Sequence, residues 1–271
     1  MTGKRRFALS SADSAPDSAP ILLKNDIISN LKEASSLGYQ GLEVHTRETA
    51  LFKYDEITKV MDEYGIAVSA VVTGRLFTQG MVNLTDDRPY ITDSAMQGMF
   101  TYIKMASRLK SDIIIGWAKG KIPENASPEP YMERLARNLR LICNEADSQG
   151  VKVFLEAINR YETNIFRTAK ELMEFLNFWD IQNSFVHLDT FHMNIEESDP
   201  IEAIRVCGKK LGYFHAADNT RLYPGTGTLD FKSCLDALDE INYGGYISVE
   251  CLPYPDGKTA AIKALDYLKN L

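Results

Sequence analysis

Four times in its second half this sequence repeats one short phrase: an apolar, β-branched run that ends on a residue able to bind a metal ion. Val151, Val153, Phe154 and Leu155 run into Glu156. Ser184-Phe185-Val186-His187-Leu188 runs into Asp189, Gly212-Tyr213-Phe214 into His215, and Tyr246-Ile247-Ser248-Val249 into Glu250. Runs of this length and composition are buried strands. A carboxylate just past a buried strand must be met by a cation or by hydrogen bonds, because burying it alone is costly. The separations are 33, 26 and 35 residues, one strand–helix unit each time. Neighbouring strands lie about 4.8 Å apart, so four consecutive parallel strands can bring these residues around one ion.

The rest of the chain keeps the rhythm. Strands are expected over 7–9, 41–44, 66–72 and 112–116, with helices over 25–37, 54–64, 91–109 and 131–149 between them. Gly38, Gly65 and Gly150 stop three of those helices. The second half adds helices over 168–178, 200–207, 231–240 with Asp230 as cap, and 259–269. Residues 73–90 form a long loop, and loops of that length in a compact domain are often lids. Eight strands, each followed by a helix, predict an α/β fold, a single (β/α)8 TIM barrel in one domain over residues 1–271, with its site at the C-terminal ends of the strands.

Charge and composition narrow the function. Lysine plus arginine is 30 and aspartate plus glutamate 37, so the net charge of −7 disfavours a nucleic-acid backbone as partner. No stretch approaches the roughly 20 apolar residues of a membrane span. Lys4, Arg5 and Arg6 look like the start of a signal peptide, but Phe7-Ala8-Leu9 gives way at once to Ser10, Ser11 and Asp13. A cytoplasmic protein is expected. Cys143, Cys207, Cys234 and Cys251 are far apart, which excludes a zinc knuckle or a redox pair and leaves reduced thiols.

Glu156, Asp189, His215 and Glu250 together offer three carboxylates and one imidazole. That set suits manganese, magnesium or cobalt better than a structural zinc. Each residue alone has a structural explanation: Glu156 or Glu250 as a salt-bridged carboxylate, Asp189 as a helix cap, His215 as a satisfied core histidine. All four at consecutive strand ends are much harder to explain that way.

Longer motifs surround these residues: Glu156-Ala157-Ile158-Asn159-Arg160-Tyr161-Glu162, Asp189-Thr190-Phe191-His192-Met193-Asn194-Ile195-Glu196-Glu197, His215 through Arg221 with Pro224-Gly225-Thr226-Gly227, and Tyr246 through Glu250. In these the sequence resembles the ketose 3-epimerases, of the D-tagatose/D-psicose 3-epimerase type, within the xylose-isomerase-like barrels. The motifs cover the C-terminal half closely; the N-terminal half matches only in its strand–helix rhythm. Ala157 stands where that family usually has proline, and Asp218 where glutamate is frequent.

The resemblance implies an isomerase that inverts C3 of a free ketose through an enediolate. Glu156 and Glu250 would be both metal ligands and the acid/base pair, one on each face of the sugar. Asp189 and His215 would complete the ligand set for one divalent ion, Mn2+ first and Co2+ or Mg2+ next, with no organic cofactor. Glu162, His192 and Arg221 would hold substrate oxygens, against the plainer readings of a Glu162–Arg160 pair, a helix start at His192 and a solvated Arg221. Trp117, at the end of the fourth strand, offers an aromatic face to sugar C–H groups or else packs in the core. Glu43 and His45, at the end of the second strand, carry no assignment. The family also suggests a homodimer or homotetramer.

Pro224-Gly225-Thr226-Gly227 resembles a phosphate loop only superficially, because no Gly-Lys-Ser/Thr follows and Asp230 caps the next helix. A free sugar is therefore favoured over a sugar phosphate. The competing readings are an aldose–ketose isomerase, a hydroxypyruvate isomerase or an inosose dehydratase on the same barrel, an abasic-site endonuclease, and a metal-dependent sugar-binding protein without turnover. Four histidines and an acidic chain argue against the endonuclease, and the paired glutamates argue against mere binding.

Overall fold

Neighbouring strands of the computed structural model, which describes residues 5–46 and 52–271, all pair in parallel. Lys4 of the basic start lies outside the described residues. The first half runs β1 (Arg6–Ala12), β2 (Leu23–Lys24), α1 (Ile27–Ser36), β3 (Gly41–His45), α2 (Tyr54–Tyr64), β4 (Ala67–Val72), α3 (Arg75–Thr78), α4 (Pro89–Arg108), β5 (Ile113–Ile115) and α5 (Glu129–Ser148). The second half runs β6 (Val153–Glu156), α6 (Ala169–Phe178), β7 (Ser184–Asp189), α7 (Thr190–Glu196), α8 (Pro200–Cys207), β8 (Leu211–Ala216), α9 (Phe231–Glu240), β9 (Tyr246–Val249) and α10 (Gly257–Lys269). Pairing of β1 with β9 closes the sheet. The eight barrel strands are β1 and β3 to β9; β2 is a two-residue addition on the outer end of β1, at Ser11 and Ala12. The expected (β/α)8 TIM barrel is the fold.

Local chemistry explains where elements begin and end. Asp26, Thr168, Asp199, Asp230 and Asp256 each accept a backbone N–H at a helix start, a cap that contributes about 1 kcal/mol. Gly65 ends α2 in the left-handed conformation at φ 61°, which costs a glycine no Cβ clash. On α5, Leu135, Leu139, Ile142, Cys143 and Ala146 recur at helical spacing and are all buried. Each large aliphatic side chain so buried contributes about 1.5–3 kcal/mol. Such faces form the main core between helices and sheet. Among the described residues no helix is long and apolar enough to cross a membrane.

The loop over 73–90 is more ordered than its sequence suggests. It contains α3, and its later part is tied down. The backbone N–H of Leu84 donates to the Ala118 carbonyl, Asn138 Nδ2 donates to the Leu84 carbonyl, and Arg134 Nη1 donates to the Thr85 carbonyl. Leu84 itself is buried. Only the α3 portion faces the mouth of the barrel, where Arg75 Nη1 donates to Asp13 Oδ1 at 2.6 Å.

Candidate active site

The lower barrel is plugged. Phe154 stacks on Tyr213 at 5.5 Å, and Ala70, Val72 and Ile114 fill the space beside them. The Tyr213 hydroxyl meets Ser69 Oγ at 2.7 Å. Side chains alternate along a strand, so the residues two beyond this plug also point inward. Glu156 follows Phe154, and His215 follows Tyr213. Asp189 ends β7, and Glu250 directly follows β9. The register sets Asp189 opposite His215 and Glu156 opposite His187. The fold thus carries all four expected ligands to one level of the barrel.

Their donor atoms crowd together. His215 Nδ1 lies 3.5 Å from Glu250 Oε2 and 3.9 Å from Asp189 Oδ2. His192 Nε2 lies 3.8 Å from both Asp189 Oδ2 and Glu156 Oε1. Three overlapping triples have donor atoms within 4.8 Å of one another: Glu43/His215/Glu250, Glu156/Asp189/His192 and Glu156/His187/His215. Asp189 Oδ2 and His215 Nδ1 are buried with no hydrogen-bond partner. Leaving a carboxylate oxygen so is expensive unless a cation meets it. Oxygen-rich donors, clustered and unpartnered, fit a divalent ion. Asp189 also caps α7, since its Oδ1 accepts from the Phe191 N–H at 2.9 Å. Its two oxygens divide the structural role from the open one.

Electrostatics separate the carboxylates. Burial, with Glu250 and Asp189 nearby, pushes Glu156 up to about 8 against the pull of His215 and Lys119. Burial likewise raises Asp189 to about 6, although Arg221 and His215 oppose it. Glu250 meets the same burial, but His215 and Arg221 outweigh it and bring it down to about 2. Burial thus favours the protonated form of Glu156, whereas His215 and Arg221 favour the carboxylate of Glu250.

The residues expected to hold substrate line a cleft of about 530 Å³ above this cluster. Trp117 Nε1 donates to Glu162 Oε2 at 3.0 Å. Arg221 spans the site, with Nη1 3.3 Å from Glu162 Oε1 and Nη2 3.1 Å from Glu250 Oε2. Asn159 Nδ2 sits 3.0 Å from Glu162 Oε1 and 2.7 Å from His192 Nδ1. Arg160 pairs with Glu196 at 2.8 Å, so Glu162 does not pair with it and faces the cleft. His192 is buried on α7, and Arg221 is half-buried among carboxylates rather than solvated. Trp117 is 37% exposed and stands at the rim, not in the core.

Besides His45, three residues near the centre carried no assignment from sequence. Glu43 is fully buried; its Oε2 accepts from His215 Nε2 at 2.7 Å and its Oε1 from His45 Nε2 at 2.8 Å. The first bond fixes the His215 ring with Nδ1 toward the other carboxylates, a common device behind metal-binding histidines. Lys119 is fully buried in the turn after β5, with Nζ donating to the Gly116 carbonyl at 3.3 Å. Burial lowers it to about 8, and Glu156 and Glu162 resist that fall. The third is His187, two residues before Asp189 on the same inner face. Period-two alternation was the signal for Glu43 and His187; nothing in the sequence marks Lys119 as buried. Gly116 leaves room for the Glu156 carboxylate: a Cβ there would sit 2.4 Å from Glu156 Oε2 and push it aside.

The chain is similar to known proteins in sequence and in fold. Residues 31–271 match the xylose isomerase-like TIM barrel family. The chain is 39% identical over 224 residues to a ketose 3-epimerase of Arthrobacter globiformis, covering 82% of this chain and 76% of that protein. It is 43% identical over 137 residues to an L-ribulose 3-epimerase of a Methylomonas species, a match that spans 51% of this chain and about half, 48%, of that relative. The solved 3-keto-D-glucoside 4-epimerase of E. coli shares the fold, with a TM-score of 0.84 at 21% identity, over 98% of this chain and 100% of that one. The chain belongs to the xylose isomerase-like TIM barrels and, among them, to the ketose 3-epimerases.

Proposed function

We propose that this protein is a divalent-metal-dependent isomerase that epimerises a free ketose at C3. The observation that carries the reading is the buried cluster of Glu156, Asp189, His215 and Glu250, with its unpartnered donor atoms, at the base of an open cleft. These four residues would hold one ion. The expectation for three carboxylates and one imidazole is manganese, with cobalt or magnesium next. When bound, such an ion supplies positive charge against the negative charge that develops on the sugar oxygens.

The chain's own residues do the rest. One of Glu156 and Glu250 removes the C3 proton and the other returns a proton from the opposite face, through an enediolate. Arg221, His192 and Glu162 fix the oxygens around C1 to C3, where positioning is worth several kcal/mol. Trp117 walls the sugar's far end, and the plugged barrel keeps water from below. The two glycine amides of Pro224-Gly225-Thr226-Gly227 are already used, since both donate to Asp218 Oδ2. That favours a free sugar over a phosphate ester. We take the enzyme to be cytoplasmic and to work as a homodimer or homotetramer.

The test is incubation with D-fructose, D-psicose, D-tagatose and L-ribulose in heavy water with manganese, read by NMR. The expected product is the C3 epimer carrying deuterium at C3. Efficient epimerisation with no solvent deuterium would refute proton transfer through exchangeable carboxylates. Formation of an aldose alone would replace the epimerase by an aldose–ketose isomerase.

A further inference from the structure

Strand β7 presents two ligand-type residues on its inner face, His187 and Asp189. Only Asp189 has a place in the function proposed above. His187 is fully buried, and neither of its ring nitrogens has a hydrogen-bond partner. Buried polar groups are nearly always satisfied, and each one left unpaired costs about 1–3 kcal/mol. The neighbours that could have satisfied the ring are engaged elsewhere or turned away. The Tyr213 hydroxyl is bonded to Ser69. Tyr213 and His215 meet the imidazole edge-to-face, with centroids at 5.4 and 4.2 Å. A bulge at the step from Val186 to His187, where β8 skips Gly212, accompanies this placement. Bulges of this kind re-aim side chains beside active sites.

His187 Nδ1 lies 3.9 Å from Glu156 Oε1. That is too long for a hydrogen bond, but it is less than the span of about 4.0–4.4 Å that two donors on one ion can have at bonds of about 2.0–2.2 Å. One donor atom each from Glu156, His187 and His215 lies within 4.8 Å of the other two. We propose that His187 is a further metal donor: an imidazole on the floor of the site that gives the ion a second nitrogen and shifts the site's preference from manganese toward cobalt. The reason is donor chemistry. Carboxylates suit manganese and magnesium, whereas imidazole nitrogen favours the later first-row ions. The proposal rests on the reading of Glu156, Asp189, His215 and Glu250 as a metal centre.

The test titrates metal-free protein with Co2+ and, separately, with Mn2+, comparing wild type with His187→Leu. Leucine keeps most of the volume and offers no donor. The cobalt Kd is expected to rise at least about tenfold and the manganese Kd by less than threefold, so the selectivity ratio falls. Pulsed EPR of the manganese-loaded wild type is expected to show two coupled imidazole nitrogens, and the variant one. This measurement on wild type decides the matter even if the variant does not fold. A single coupled nitrogen in wild type, or an unchanged selectivity ratio in a folded variant, overturns the role of His187 and leaves the four-residue site standing. Failure of wild type to bind either ion overturns both.

Discussion

Arg221 shows how much one side chain does here. Its backbone is left-handed at φ 60°, its guanidinium bridges Glu162 and Glu250, and its carbon centre lies 4.6 Å over the ring of Phe191. Its Nη2 is also 3.9 Å from Asp189 Oδ2. A flat, forked cation held on both sides is suited to fixing sugar oxygens, and a lysine would not reproduce the fork. Removing one partner of a buried ion pair costs about 3–5 kcal/mol, and this half-buried one should cost less, since water reaches the remaining charge. Arg221→Ala should therefore lower kcat/KM at least about 100-fold and lower the thermal midpoint of the metal-free protein. Its metal content, measured by elemental analysis, should stay within a factor of two of wild type. Arg221→Lys should recover stability more than turnover. If the alanine variant kept normal kinetics on a ketose that the wild type epimerises, Arg221 would be only a structural counter-charge.

At the scale of elements, the segment between β8 and α9 holds Arg221 in place. Asp218 is fully buried, and its carboxylate accepts from the N–H groups of Gly225 at 2.9 Å, Gly227 at 2.8 Å, Asn219 at 2.9 Å and Leu229 at 3.3 Å. Successive backbone amides in such a turn form an anion-binding concavity, and here the anion is the chain's own carboxylate. A Cβ at position 227 would meet Asn219 Oδ1 at 2.0 Å and Asp218 Oδ1 at 2.3 Å, so only glycine lets the loop wrap this closely. The Arg221 N–H in turn donates to the Asp218 carbonyl at 2.8 Å. Asp218→Ala leaves these amides without a partner; charged hydrogen bonds contribute about 1.5–3 kcal/mol each. The expected result is a loss of several kcal/mol in denaturant unfolding and at least a tenfold fall in kcat/KM, with manganese affinity within threefold of wild type. Normal kinetics in that variant would show that Arg221 is positioned without the loop's anchor.

The same scale shows what was legible in the sequence. The strand ends were, because a carboxylate or imidazole closing an apolar run is costly and so conspicuous at Glu156, Asp189, His215 and Glu250. Helix α2 was, because Gly65 ends it unambiguously. The two bulges were not. They follow from Ser69 and Gly212 being passed over in the pairing of β3 with β4 and of β7 with β8, and only a partner strand reveals a skipped residue. Those bulges fall at the steps into Glu43 and His187, inner-face residues that sequence left without a role. Helix α7 entered only as the plainer alternative, with Asp189 as a cap and a helix start at His192, because the residue that caps it is also a candidate ligand.

The whole molecule turns on the charge at the centre of one closed sheet. Glu43, Glu156, Asp189 and Glu250 are all buried there, and Arg221, Lys119 and the imidazoles answer them only in part. A barrel built this way should be less stable than its hydrophobic core allows until a cation arrives. A ligand that binds only the folded state at 100 times its Kd adds about 2.7 kcal/mol. For a chain of this size that corresponds to a rise in thermal midpoint of about 5–10 °C. Saturating manganese or cobalt should produce this rise in metal-free protein, and a chelator should reverse it. Asp189→Asn separates charge from shape. The asparagine can still cap α7 through its oxygen, as Asp189 Oδ1 does for the Phe191 N–H, while the unpartnered Oδ2 loses its charge. The variant should unfold no lower than wild type when both are metal-free, and should show little or no rise when metal is added. If the wild type showed no metal-dependent shift, and calorimetry found no binding at millimolar manganese or cobalt, the carboxylate cluster would have to be explained by the protein's own cations alone.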